Sequence, residues 1–470
     1  MINKKLVLVE PAEITVGVEG AKRSQEPAGL CVIGGYTQSK GIDTEIVCPT
    51  SDNPTVSAER ILEHNPEYVG LGTFLYSLPR ALELAKEVKM QDKSIKTIIG
   101  GNGVNVDAKT VSMDPNVDFV VKGEGVYPVY DLISGVAYKR GVIYQEGRLI
   151  ADTPQRTDLD DLSLSLRTPE MMEGRVRGDL TNPSQFDQNY ATIFTTTGCA
   201  NRCKFCQTQE MFPGTVFFRN PQQVSEEIQK CQEEYGSNYF LLTDPLVFGG
   251  VKGLKSGHAQ KAAKALGKTG AKFYALARLD MPSEYWDLFQ EAGITKIGVG
   301  IESLVLKGIK DGTPDMYLGR IEEYGNEAIK RGMFCKGLFM VGYEGQSKEQ
   351  ILQEADAIGK LKSISDIRIS WLTPFEKTAE ERDALFKQSL IYTSDISKWG
   401  TNDPIYKIDD IEDPGNVGLL RDNMYHSFYT SGNADTVAKK LIKANPELRR
   451  SYEWFNKNVL AKSGLKISVD

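Results

Sequence analysis

Short apolar runs alternate with polar, helix-period stretches along the first 125 residues. The runs are KLVLVE (5–10), DTEIVC (43–48), EYVGLG (67–72), KTIIGG (96–101) and DFVVKGEG (118–125). Most are continuous rather than alternating, which predicts strands buried on both faces of a parallel sheet. Between them LPRALELAKEVKMQ (78–91) places Leu78, Leu82, Ala85 and Val88 on one helical face. The same rhythm resumes after residue 190. Strands are expected at ATIFTTTG, YFLLTDP (239–245), KFYALARL (272–279), KIGVGIES (296–303), FCKGLFMVG (334–342) and DIRISWLTPF (366–375), with helices such as VSEEIQKCQEEYG and KEQILQEADAIGKL between them. Six βα steps make an incomplete (β/α)6 barrel of the triosephosphate isomerase type.

The fold class is therefore α/β: a Rossmann-like parallel sheet over 1–138, a connection over 139–188, a barrel over 189–380 and a small helical region over 381–470. GVIYQEGRLIAD (141–152) reads as a hairpin within the connection. ADTVAKKLIKANPELRRSYEWFNKNVLAK reads as amphipathic helices broken at Asn445-Pro446. Tyr425, Phe428, Tyr429, Tyr452 and Trp454 either pack there as core or cap the barrel mouth.

A length of 470 residues fits two to four domains. The balance of 56 basic against 63 acidic residues leaves −7, so nothing attracts nucleic acid globally. No apolar run reaches the ~18 residues of a membrane span, and MINKKLVLVEP lacks a secretory cleavage pattern, so a cytoplasmic setting is expected. Seven cysteines in such a chain favour metal or redox chemistry over a disulfide framework. Cys199, Cys203 and Cys206 are spaced CxxxCxxC on one loop, with Phe205 before the last. Three thiolates on a short loop suit three irons of a cubane and leave a fourth iron open. Structural zinc with a distant fourth ligand is the competing reading, and with it a sensor protein rather than an enzyme. Cys31, Cys48, Cys231 and Cys335 sit in apolar contexts and are expected as core thiols.

Ligands of open α/β sheets and barrels lie past the strand C-termini. In the barrel these ends carry Thr243, Asp244, Arg278, Glu302 and Ser303, an acid–base–hydroxyl set that suits a zwitterionic, ribose-bearing ligand; a structural rim ion pair is the plainer alternative for Arg278 and Glu302. In the first sheet they carry Thr73, Leu75, Tyr76, Gly100, Gly101, Asn102 and Glu124, where the glycines serve either ligand approach or tight turns.

ATIFTTTGCANRCKFC resembles the cluster strand and loop of the radical S-adenosylmethionine (SAM) superfamily. PAGLCVIGGYTQSKGIDTEIV, IIGGNGV, VDFVVKGEG, GVIYQEGRLIAD and LTPFEKT, in that order, resemble its subgroup with an N-terminal cobalamin-binding domain. The resemblance implies a 4Fe-4S cluster on the three cysteines, SAM contacted by Phe205, Thr243, Asp244, Arg278, Glu302 and Ser303, and cobalamin against the seven first-sheet residues. It further implies that reductive cleavage of SAM gives a 5′-deoxyadenosyl radical that abstracts hydrogen from an unactivated carbon. C-methylation through cobalamin would follow, and a cyclisation, rearrangement or oxidation without methyl transfer is the alternative. The implied partners are an organic substrate of unidentified class and a one-electron reductant of flavodoxin or ferredoxin type. Two departures stand out: Gly100-Gly101-Asn102-Gly103 replaces the common Gly-Gly-x-His, and GYEGQS (342–347) replaces the usual Gly-x-Pro-Gly-Glu-Thr. No DxHxxG signature is present, and the histidines are His64, His258 and His426.

Overall fold

The computed structural model describes the chain apart from residues 1–3, 12–25, 50, 52, 137–138, 173–189, 204, 307–317, 378, 401, 410, 447, 459 and 470. The five early apolar runs form β1 (Lys5–Val9), β2 (Asp43–Val47), β3 (Tyr68–Gly72), β4 (Lys96–Gly100) and β5 (Phe119–Lys122), all parallel in the order β2-β1-β3-β4-β5. Strand order reverses between β1 and β3, so the ligand crevice of this sheet lies at their C-terminal ends. Val7, Val9, Val69, Leu71 and Ile99 pack on one face of the sheet, and Leu6, Leu8, Ile46 and Ile98 on the other. The expected helix runs Leu78–Gln91 and buries Leu78, Ala81, Leu84, Ala85 and Val88, with Leu82 only half-buried beside that stripe.

The hairpin belongs to this sheet. β6 (Gly141–Gln145) and β7 (Arg148–Thr153) extend it antiparallel beyond β5, covering an edge that would otherwise present unpaired backbone groups. Part of the expected connection, residues 173–189, lies outside the described residues.

β8 (Tyr190–Ile193) opens the second region, followed by a short antiparallel pair, β9 (Thr196–Gly198) with β10 (Val216–Phe218), which brackets the cysteine loop. β11 (Tyr239–Leu242), β12 (Lys272–Arg278), β13 (Ile294–Glu302), β14 (Phe334–Val341) and β15 (Asp366–Trp371) then add in chain order, giving a six-stranded parallel sheet with β8 and β15 as its edges. Alternation along each strand sends Ile297, Val299, Ile301, Ile367 and Ile369 outward into the helix layer. Tyr274, Lys296, Lys336 and Asp366 alternate with that outward set, on the inner face. The C-terminal helices Pro414–Thr430, Asn433–Ala444 and Leu448–Asn458 pack on the barrel helices, and their aromatics are core. Tyr429 donates to Asp366 Oδ1 (2.6 Å) and Tyr425 accepts from Ile369 N–H (2.9 Å), so both are committed at β15 and not at the mouth.

A buried charge network joins the two regions. Arg167, in the connection, donates to Glu26 Oε2 (3.0 Å), Glu227 Oε1 (2.7 Å) and the Thr192 carbonyl (2.8 Å). Glu26 also accepts from the Thr192 N–H and hydroxyl, and Arg219 donates to the second oxygen of Glu227. Unpaired charges at this depth would be strongly unfavourable, so the network holds the start of the first-domain helix Ala28–Ser39, the connection and the barrel in one register.

Candidate functional site

Asp244 organises the loop after β8. Its carboxylate accepts from Thr195 N–H (2.7 Å), Thr196 N–H (3.1 Å), Phe248 N–H (3.0 Å) and the Thr195 hydroxyl. Burial pushes its pKa up against those hydrogen bonds. Asp244 is therefore fully buried and committed to the backbone that launches the cysteine loop, while its neighbour Thr243 is exposed at the rim.

On that loop all three cysteines are half-exposed, whereas the other four are buried. Asn201 Nδ2 lies 3.5 Å from Cys199 Sγ, and Arg278 Nη1, from the end of β12, lies 3.8 Å from Cys203 Sγ. The Arg278 fork also pairs with Asp280 (2.8 and 2.7 Å). Both donors are placed to hydrogen-bond a sulfur from outside the ligand shell that the three thiols would form. A cavity of about 440 Å³ opens beside Cys203 and Cys206, with Phe205 and Arg202 on one side and Phe375 and Glu376 of the β15 exit on the other. Among the described residues no three side chains close round a single ion. A cubane takes one thiolate per iron, so three cysteines on this one loop would hold three irons. By contrast, burial drives the thiols of Cys231 and Cys335 up to about 12, which leaves them inert packing groups.

Glu302 ends β13 at φ 67°, in the left-handed region, where a register shift between Gly300 and Glu302 lifts it out of the strand. A non-glycine residue there costs on the order of 1 kcal/mol, and such strain gathers at functional rims. Ser303 is buried; its hydroxyl donates to Glu354 Oε2 (2.9 Å) and accepts from Leu306 N–H (2.8 Å). Glu354, which sequence reasoning missed, also accepts from Leu304 and Val305 N–H, and burial raises its pKa. Ser303 thus shapes the loop after β13, and Glu302 is the residue left at the opening. The GYEGQS turn is closed by Gln346, whose side-chain oxygen accepts from Gly342 N–H (2.7 Å) and Tyr343 N–H (3.2 Å).

At the C-terminal edge of the first sheet, Thr73 donates through N–H (2.8 Å) and hydroxyl (2.9 Å) to the Gly100 carbonyl, binding the β3 and β4 exits together. Gly101 has φ 97°, and a Cβ there would stand 2.5 Å from the Thr73 carbonyl, so this glycine serves loop packing. Gly101 and Asn102 remain open at the edge, and Phe74 and Tyr76 stack in parallel (5.7 Å, 2°), with Phe74 exposed. Leu75 is buried against Ile391, Trp399 and Ile405 of the tail. Glu124 accepts from Thr157 N–H (2.6 Å) and pairs with Arg156 (3.5 Å). An exposed glycine-edged rim with a flat aromatic pair fits a broad planar ring system such as a corrin.

Two straps connect this rim to the cysteine side. Arg156 reaches from Glu124 to the Met211 carbonyl and lies 4.7 Å over the Phe212 ring. In the tail, Gly400 accepts from Thr373 at the β15 exit (2.8 Å) and sits against Tyr76, while Arg382 pairs with Asp107 (3.1 Å). Neither strap carried a motif. The C-terminal edges of both sheets are thereby tied together.

Residues 193–358 match the family described as the radical SAM superfamily, and residues 14–133 match the B12 binding domain. The chain is a radical SAM protein with a B12-binding domain. Among curated relatives, a Methanocaldococcus jannaschii protein named provisionally as a methylthiotransferase is 24% identical over 74% of this chain and 75% of its own. The cytidylyl-2-hydroxyethylphosphonate methyltransferase of Streptomyces wedmorensis is 24% identical over 60% of this chain and 58% of its own. The anaerobic magnesium-protoporphyrin IX monomethyl ester cyclase of a Synechocystis strain is 22% identical over 51% and 49%. The chain thus spans between half and three quarters of the length of these relatives. In fold it is similar to the radical SAM methyltransferase TsrM of Kitasatospora setae with cobalamin and a 4Fe-4S cluster bound (TM-score 0.69, 14% identity, 98% of this chain and 100% of that one). It is also similar to the cobalamin-dependent radical enzyme OxsB with aqua-cobalamin and SAM bound (TM-score 0.67, 13% identity, 97% and 71%). The matched domains give SAM and cobalamin as this enzyme's cofactors, and the TsrM structure binds a 4Fe-4S cluster beside its cobalamin. No imidazole stands at the cobalamin edge among the described residues: His64 pairs with Glu45 before β3, His258 is buried against Phe218, and His426 is exposed on a C-terminal helix. No helix among the described residues is long and apolar enough to cross a membrane.

Proposed function

We propose that this radical SAM enzyme C-methylates an organic substrate at an unactivated carbon. When bound, the cluster and SAM supply hydrogen abstraction, and cobalamin supplies the methyl group. Cys199, Cys203 and Cys206 are the cluster ligands in this reading, with one iron left for SAM. Arg278 stands beside Cys203 and is placed to pair with the SAM carboxylate, Phe205 lines the cavity beside the cysteines, and in this reading Thr243, exposed after β11, and Glu302 at the end of β13 meet the ribose or amino group. Asp244 and Ser303 act from beneath by fixing the loops that carry the contacts. Gly101, Asn102 and Tyr76 form the corrin rim, with Thr73, Gly100 and Glu124 holding its shape and Leu75 anchoring the tail.

The observation that carries the reading is the pair of straps, which tie the C-terminal edge of the first sheet to the segment after the cysteine loop and to the β15 exit. Apolar side chains there, Phe212 and Phe375 among them, exclude water from a reactive intermediate. A reducing cytoplasm and a flavodoxin- or ferredoxin-type donor belong to the same reading. The test is product analysis after anaerobic reconstitution with cobalamin, SAM and a reductant. Methyl transfer requires both 5′-deoxyadenosine and S-adenosylhomocysteine, the latter from remethylation of cobalt. 5′-Deoxyadenosine alone would instead assign a cyclisation, rearrangement or oxidation.

A further inference from the structure

The inner face of the barrel sheet is layered by register. One layer contains Leu276, Gly298, Lys336 and Asp366, and Lys336 pairs with Asp366 at 2.8 Å. Below it Lys296 lies 5.1 Å over the Tyr274 ring and 4.0 Å from the same carboxylate. These residues are buried, apart from half-buried Leu276, and close the floor. The next layer up is Arg278, Gly300, Leu338 and Arg368, one residue from each of β12 to β15. It opens progressively: Arg278 is buried, Gly300 and Leu338 are half-buried, and Arg368 is exposed.

Arg368 is unusual for a mid-strand position. Its neighbours Ile367 and Ile369 are buried in the helix layer, so its side chain points to the inner face. No hydrogen bond or ion pair from a described residue reaches it. In the floor beneath, Lys296 and Lys336 both lie within 4.0 Å of the Asp366 carboxylate, which places two cationic side chains under this layer. At about 4.8 Å per strand, roughly 14 Å of arc separates Arg368 from Arg278. Gly300 contributes no side chain to the space between. Leu338 and Met340 give this wall an apolar surface.

We propose that the β14–β15 wall is an anion-binding substrate subsite, in which Arg368 pairs with a carboxylate or phosphoryl group while Leu338 and Met340 flank the apolar body beside it. This rests on the reading that SAM occupies the Cys203–Arg278 side of the same lumen, leaving the opposite wall to the substrate. A guanidinium fork matches two anionic oxygens and orients the molecule carrying them. That would turn one carbon of the body toward the centre of the mouth.

The test is arginine footprinting of the cluster-reconstituted full chain with phenylglyoxal, read residue by residue by mass spectrometry. The competitors are inorganic phosphate, benzoate and neutral benzamide. One anion or both should slow modification of Arg368 by about fivefold or more, as expected of one charge-assisted pair, with benzamide inert and the exposed hairpin residue Arg148 unaffected. Phosphate protection alone would identify a phosphoryl group, and benzoate protection a carboxylate. No protection by either anion, equal protection by benzamide, or parallel slowing at Arg148 would overturn the proposal. As a second measurement, fluorine NMR should show 4-fluorobenzoate or fluorophosphate binding wild type and losing about tenfold affinity in Arg368→Gln, with 4-fluorobenzamide the same in both. Neither readout depends on SAM. Protection without SAM cleavage would therefore overturn only the placement of SAM, and SAM cleavage without protection would overturn only this subsite.

Discussion

Replacing Arg167 by Met should loosen the joint between the two domains by a calculable amount. The side chain is 4% exposed and bridges Glu26 and Glu227, themselves 0% and 1% exposed. Burial alone would push the Glu227 carboxyl up, yet Arg167 and Arg219 overcome this and hold it at about 2. Against the ordinary 4.5, that depression is worth about 3 kcal/mol. Because the folded pKa is lowered, this stabilisation is complete above about pH 4.5 and disappears as pH falls through 2. Methionine fills similar space but takes the guanidinium from Glu26 and from one oxygen of Glu227, whose other oxygen keeps Arg219, and removes a donor from the Thr192 carbonyl, so a loss of about 3–5 kcal/mol is expected at neutral pH. Denaturant unfolding followed by tryptophan fluorescence measures it, taking the first transition as the readout because two domains need not unfold together. Adding Glu26→Gln to the Met variant should recover part of the loss, since it removes the buried charge that has lost its guanidinium while Glu227 keeps Arg219. A loss under about 1 kcal/mol, or strict additivity of the two substitutions, would refute the assignment of this network as the interdomain joint.

Three other expectations can be checked separately. Cys199→Ala with Cys203→Ala and Cys206→Ala should abolish iron retention, whereas Cys231→Ala should keep it and cost only a packing loss of about 1 kcal/mol; iron analysis and a melting curve separate the two. Arg156→Ala should raise amide exchange across Thr208–Phe212 about tenfold by removing the strap to Glu124, and unchanged protection would show that the loop stands without it. His258 is held down to about 4, first by burial and then by Lys261, so the unfolded chain takes up its proton first as pH falls below 6.5. That costs roughly 3 kcal/mol by pH 4, and His258→Phe should flatten this acid-side fall in an unfolding profile.

The parallel strands were legible because burial on both faces leaves continuous runs such as Leu6–Val9 and Ile98–Ile99. The cysteine loop was legible because three cysteines fall within eight residues. What escaped was set by distance in the chain. Glu26, Arg167, Arg219 and Glu227 lie up to 201 residues apart (227 − 26), and no local pattern marks them as partners. The β9–β10 pair is only three residues per strand, too short for a periodic signal. Strand-end logic placed Asp244, Ser303 and Glu124 just past strand C-termini, but not the hydrogen bonds that already engage each of them. Burial of Leu75 depends on Trp399, which arrives from a tail with no motif. Arg368 escaped because an arginine inside DIRISW reads as the polar position of an ordinary strand.

The central claim is that Cys199, Cys203 and Cys206 carry a cluster that opens SAM for radical chemistry beside a cobalamin edge. The most direct measurement is anaerobic reconstitution with iron and sulfide, followed by quantification of 5′-deoxyadenosine after reduction with SAM present. The account predicts about four irons per chain and 5′-deoxyadenosine that disappears in the triple-cysteine variant. Stoichiometric zinc with no SAM cleavage would contradict it.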